Sequence, residues 1–130
     1  MKKVFVLFLL NMVMFSLNAQ SNTIRLEFNT YQQLNNDIRI YERKGSNIFL
    51  VNCYDKGDVI HYTQGGNMAT YKYVSFMGRT DANTSSSDTW RMNFDGSDIF
   101  FSLVYNKNDE LIFVRLYFIS SKTAFDYYNK

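Results

Sequence analysis

The chain has no proline and only one cysteine, one histidine and one tryptophan among its 130 residues. A lone cysteine cannot close an internal disulfide, so the fold must stand on an apolar core. Cys53 lies in the apolar run 48–54 and reads as a small buried hydrophobe. A single histidine, His61, leaves a zinc site without its usual ligand set. There is no nucleophile-elbow serine and no glycine-rich phosphate loop, which removes two common routes to catalysis. No apolar run reaches the ~20 residues that a membrane-spanning helix needs. The missing proline, together with scarce Ala and abundant Asn, Lys, Ile, Phe and Tyr, suits an AT-rich bacterial genome.

The N-terminus carries an address. Lys2 and Lys3 precede a short apolar stretch, Val4 to Leu10 and Met12 to Phe15, and small Ala19 stands before Gln20. That order predicts a signal peptide over 1–19, cleavage between Ala19 and Gln20, and a secreted or periplasmic domain over 20–130. No cysteine follows the apolar stretch, so no lipid anchor is expected. Removing Lys2 and Lys3 takes the basic residues from 14 to 12, equal to the 12 acidic ones, so the formal charge falls from +2 to zero. The remaining charges are interspersed, which excludes nucleic acid and acidic membranes as electrostatic partners.

Beyond that segment the hydrophobic period is two, as in half-buried strands. Ile24, Leu26 and Phe28 alternate with Arg25, Glu27 and Asn29. Ile38 and Ile40 alternate with Arg39 and Tyr41, and Trp90, Met92 and Phe94 with Arg91 and Asn93. Strands are expected near 22–30, 37–44, 47–54, 58–64, 68–78, 88–95, 98–106 and 110–120, with a further segment at 122–128. Turns are expected at 44–47, 55–58, 64–67, 95–98 and 106–109, where Gly, Asn and Asp accept positive φ. Tyr31 to Asn36 has room for one helical turn, and the polar stretch 79–88 reads as an exposed loop. The expected fold is all-β: one antiparallel meander of roughly eight strands, as an up-and-down, lipocalin-like barrel or a two-sheet sandwich. Strands 48–54, 99–105 and 111–119 are apolar on both faces, so their outer faces should be covered.

Several residues invite chemistry. Asp81 to Ser85 begins like a calcium loop, but Ser86 and Met92 stand where the loop's Gly and Glu belong. Asn83-Thr84-Ser85 matches a glycosylation sequon, relevant only in a eukaryotic secretory route. Cys53 and His61 flank one turn; a register pairing Cys53 with Val59 would put them on one face, and a shift by one residue would part them. No third residue orients such a pair. No metal and no cofactor is expected.

Arg115 sits in the apolar strand Leu111 to Ile119, and Tyr117 shares its face. Arg115-x-Tyr117 late in the chain is similar to the motif of fatty-acid-binding proteins. That resemblance implies an enclosed barrel in which Arg115 and Tyr117 hold a ligand carboxylate. This chain departs from that family in its signal peptide and in lacking a helical pair after the first strand. The opposing arrangement puts Ile112, Val114, Leu116 and Phe118 in the core and lets Arg115 snorkel outward along Phe113 and Tyr117. The completeness of that apolar face favours the outward arrangement, for which Arg115→Leu should scarcely move stability. Tyr71, Tyr73, Tyr105 and Tyr117 then line a cavity or form an outer ladder of cross-strand pairs. The expected function is a non-catalytic domain binding a small apolar or amphipathic ligand. The alternative is a protein-interaction or envelope-structural module acting through an outer aromatic face, and a hydrolase ranks third. The oligomeric state is not legible in the sequence.

Overall fold

The computed structural model describes residues 23–130. The signal segment and the Ala19–Gln20 junction lie outside those residues. Eight antiparallel strands follow one another: β1 (Ile24–Asn35), β2 (Ile38–Val51), β3 (Val59–Thr63), β4 (Met68–Asp81), β5 (Ser85–Phe94), β6 (Ser97–Asn106), β7 (Leu111–Phe118) and β8 (Thr123–Tyr128). Each pairs with the next, and β1 pairs with β8 from Thr30↔Tyr128 to Asn35↔Thr123, so the sheet closes into a barrel rather than a sandwich. Closure removes the two sheet edges that a meander would otherwise expose. No helix among the described residues is long and apolar enough to cross a membrane.

The inward face of β5 meets the expected alternation, and β6, apolar on both faces, turns alternate residues inward. Trp90, Met92, Ile99, Phe101 and Leu103 are buried, and Phe49, Val51, Val59, Val114 and Leu116 complete a packed centre. In β7 the outward arrangement of Arg115 holds, with one change. A register shift between Val104 and Tyr105 brings Leu111 opposite Tyr105, so Leu111 packs on the core and Ile112 is exposed. A bulge moves every residue beyond it to the other face.

Other departures share that non-local origin. Residues 44–47 are no turn: β2 runs through them, and a register shift lets Gly45 and Ser46 bulge opposite Asn29. Gly45 serves close packing, since a Cβ there would lie 2.9 Å from Gln64 Oε1 and 3.2 Å from the Tyr31 ring. Tyr31 to Asn35 is strand instead of a helical turn, and the reversal falls on Asn36 and Asp37, with φ of 50° and 65°. Two successive positive φ values make the hairpin turn that suits a twisted ribbon. β3 pairs with β2 only from Asn47 onward, so this part of β2 is uncovered on that side; Ile38 and Ile40 are exposed and Tyr41 leans over the hollow. The expected loop over 79–88 shrinks to residues 82–84, because β4 and β5 continue to pair as far as Asp81↔Ser86. The apolar outer faces have no second layer within the described residues. They cover one another: Phe100 stacks on Tyr117 at 6.4 Å, and Arg115 lies over Phe113 at 5.6 Å.

Candidate functional site

The four residues singled out in the sequence fall in two places. Arg115 and Tyr117 are on the outer wall, whereas Tyr71 and Tyr73 point inward from β4. Arg115 is fully engaged: its Nε and Nη2 donate to Asp126 Oδ1 and Oδ2 at 2.6 and 2.8 Å. Asp126, almost completely buried, also accepts from Gln32 Nε2 at 3.2 Å. The hydrogen bonds to Asp126 raise the Arg115 pKa further against the pull of burial. Arg115 therefore neutralises a buried carboxylate contributed by the neighbouring strand.

The barrel's centre is filled by side chains, and the open space lies at its two ends. At one end β4 outruns β3. Their pairing stops at Val59↔Tyr71, and the chain between β2 and β3 folds into a short 3-10 turn, Cys53–Asp55, with Asp58 Oδ1 accepting from Tyr73 N–H at 2.9 Å. Between that turn and β4 runs a groove of about 520 Å³. Trp90 forms its floor; Tyr54 meets the indole edge-on at 4.7 Å from one side and Phe76 tilts on it at 5.2 Å from the other. Asp88, Arg79, Tyr73 and Lys56 complete the lining.

Asp88 is inward because it shares the face of Trp90 and Met92 and pairs with Leu103. Its carboxylate Oδ2 accepts from Tyr54 Oη at 2.5 Å, and Tyr105 Oη lies 3.1 Å from Tyr54 Oη. Since Tyr54 gives its proton to Asp88, Tyr105 must donate to Tyr54. Burial, then these bonds, push the Tyr54 pKa well above its ordinary value, so it stays a phenol. Arg79 stands 3.9 Å from Asp88 Oδ1, and 3.7 and 3.5 Å from exposed Asp81 and Asp109, and its guanidinium lies 5.7 Å from the Tyr105 ring centroid. The pKa of the Cys53 thiol on the groove's inner side is pushed up to about 12, chiefly by burial, so it stays protonated near neutral pH.

Inside the barrel, toward the other end, Asn47, His61 and Tyr71 meet. His61 Nε2 lies 2.8 Å from Asn47 Oδ1, and Nδ1 lies 2.9 Å from Tyr71 Oη. The amide oxygen only accepts, so Nε2 carries the proton, and Nδ1 accepts from the Tyr71 hydroxyl. The imidazole also stacks on Phe49 at 4.0 Å. Burial lowers its pKa to about 4, which keeps it neutral. All three residues are buried and both ring nitrogens of His61 are engaged, so the relay orders the interior. Val51, and neither Cys53 nor Tyr54, pairs with Val59; His61 pairs with Phe49 and Cys53 sits in the 3-10 turn, so Cys53 and His61 form no dyad.

Above this relay lies a hollow of about 250 Å³, walled by Tyr31, Tyr41, Phe125 and Tyr127 with Asn47, Thr63 and Gln64. A wider crevice of about 700 Å³ on the outer wall, between Glu27, Lys44 and Lys130, is lined mainly by solvated polar groups. Among the described residues, no three His, Cys, Asp or Glu side chains are placed to hold a metal ion.

Sequence reasoning missed Asp88 by assigning it to a loop, although its even spacing from Trp90 and Met92 carried the signal. It missed Arg79 for the same reason. Nothing local links Asn47 to His61 or Tyr31 to Tyr127. Comparison with family models, curated proteins and solved structures finds no match to this chain.

Proposed function

We propose that this protein is an exported, non-catalytic binding domain that holds a small amphipathic ligand in the groove beneath β4. The observation that carries this reading is the groove itself: about 520 Å³ with an indole floor, two aromatic walls and a charged end. Ligand sites of this size are mostly apolar with a few placed polar groups. An apolar tail lying between Tyr54 and Phe76 over Trp90 would leave its polar head beside Asp88 and Arg79. Non-catalysis is supported by the two groups that could have been reactive, since burial keeps the Cys53 thiol protonated and both His61 nitrogens are engaged.

The test uses a built-in reporter. Trp90 is the chain's only tryptophan, so its fluorescence reports occupancy directly. Titration with octanoate, octylamine and octyl glucoside should give a saturable change for at least one, reduced in Phe76→Ala. If none of the three amphiphiles perturbs Trp90, the reading fails. A second reading, a protein-interaction module, is favoured by exposed Val74, Phe76 and Met77 along the part of β4 that β3 does not reach. That reading requires a stable complex with a partner protein in which Val74→Ser or Met77→Ser weakens binding while Trp90 fluorescence titrations are unchanged.

A further inference from the structure

We infer that the hollow at the opposite end, framed by Tyr31, Tyr41 and Tyr127, is a second binding site, and that it takes a neutral hydroxylated ring the size of one monosaccharide. Tyr127 is the key residue. It is more than nine-tenths buried and pairs in register with Tyr31 and Val114, so it projects into the barrel. Its ring is fixed by Phe49 at 5.0 Å, His61 at 5.2 Å and a stacked Tyr31 at 5.9 Å. Yet its hydroxyl has no hydrogen-bond partner among the described residues. No polar side-chain atom there is at once fully buried and unpartnered, so Tyr127 Oη opens on the hollow that its residue lines. A buried tyrosine hydroxyl ordinarily finds a partner, and one left open toward a cavity waits for water or a ligand.

The lining specifies the ligand's chemistry. No ionised side chain lines the hollow, and the polar groups are tyrosine hydroxyls, Thr63 and the amides of Asn47 and Gln64. Asn47 Oδ1 is occupied by His61, and Gln64 Oε1 by the Ser46 N–H at 3.2 Å, so the amides are held in place. Tyr41 closes the side, edge-on to Tyr31 at 6.3 Å, with the Arg43 guanidinium 4.3 Å from its ring centroid. A volume of about 250 Å³ equals roughly eight waters. That is room for one six-membered ring. Apolar ring faces beside neutral donors and acceptors match a sugar, which has C–H faces and a rim of hydroxyls. No charged side chain lines the hollow itself, and the nearby Arg43 guanidinium lies against the Tyr41 ring, so an ionic ligand would lose water without a direct ion pair in the lining. This site shares no residue with the groove at the other end and does not depend on its function.

The experiment is an amide-resolved NMR titration of the whole exported domain with glucose, galactose and N-acetylglucosamine, and with glucose 6-phosphate as the charged control. At least one neutral sugar should give saturable shifts centred on Tyr31, Asn47 and Tyr127, with the Trp90 region silent and the phosphate ester weaker. Tyr127→Phe keeps the ring and its packing, so it should leave the thermal midpoint in place while weakening the sugar about tenfold. Tyr41→Ala, at the rim and away from the packed centre, should weaken it as well. The inference is overturned if no neutral sugar gives saturable shifts, if the charged ester binds best, or if Tyr127→Phe and Tyr41→Ala both bind like the parent.

Discussion

At one end of the barrel Tyr54 and Tyr105 give their protons to a chain that ends on a carboxylate. At the other, the hydroxyls of Tyr31, Tyr41 and Tyr127 have no hydrogen-bond partner among the described residues. Both ends are rich in tyrosine, and the difference comes from what lies beneath. Asp88 is an inward carboxylate that must be satisfied, so its neighbours are recruited as donors. Beneath the other end, His61 is neutral and closes its own account of donors and acceptors with Asn47 and Tyr71. The tyrosines above it are left free. An aromatic-rich barrel mouth is therefore not one kind of site, and its chemistry follows from the buried polar group nearest to it.

The largest effect tests the charged end through its floor. Trp90 is buried beneath the groove and packs against Tyr54, Phe76 and Phe101. Trp90→Ala should cost ~3–5 kcal/mol in urea unfolding, as aromatic-to-alanine core changes do. A loss below ~1 kcal/mol would mean that the groove's floor is not part of the core.

The relay below the neutral end is tested by pH. The folded His61 pKa is lowered to about 4 from 6.5, so between those values the unfolded chain binds the extra proton. Its contribution is whole above about pH 6.5, falls as the pH drops, and is exhausted near pH 4. The depression corresponds to about 3 kcal/mol. Stability curves of the parent and of His61→Gln should converge across that window, and parallel curves would sink the assignment.

Two removals of one polar group then compare an inner and an outer carboxylate. Arg115→Leu strands Asp126, which is 3% exposed, with only Gln32 as a partner. A loss of ~2 kcal/mol is expected, in place of the near-neutral effect that an unpaired outward arginine would show. Tyr54→Phe removes the donor to Asp88 and should cost ~1–2 kcal/mol by thermal unfolding, because Arg79 remains nearby. Equal stability in Tyr54→Phe would make the two mouths alike and end the contrast. The smallest effect is the sharpest comparison. Tyr127→Phe deletes a hydroxyl that bonds nothing among the described residues, so its stability should stay within ~0.5 kcal/mol of the parent.

What the amino-acid order determined by itself is local. Alternation with period two, turn residues every ten positions or so and the inward row of Trp90 and Met92 follow from how successive side chains leave a strand, and all are legible without knowing the partners. The outward position of Arg115 was legible for the same reason, from the apolar row beside it. Its carboxylate was not, because Asp126 reaches it only through β7–β8 pairing. The same holds for both ends of the barrel. Asn47 meets His61 across β2 and β3, Tyr31 meets Tyr127 through the closing β1–β8 seam, and the groove exists because β4 outruns β3. Bulges at Gly45, Ile112 and near Gly78, whose φ is +117°, reset which face each later residue shows. Register and closure are properties of pairs of distant strands, so only the tertiary structure decided where the polar groups of this protein converge.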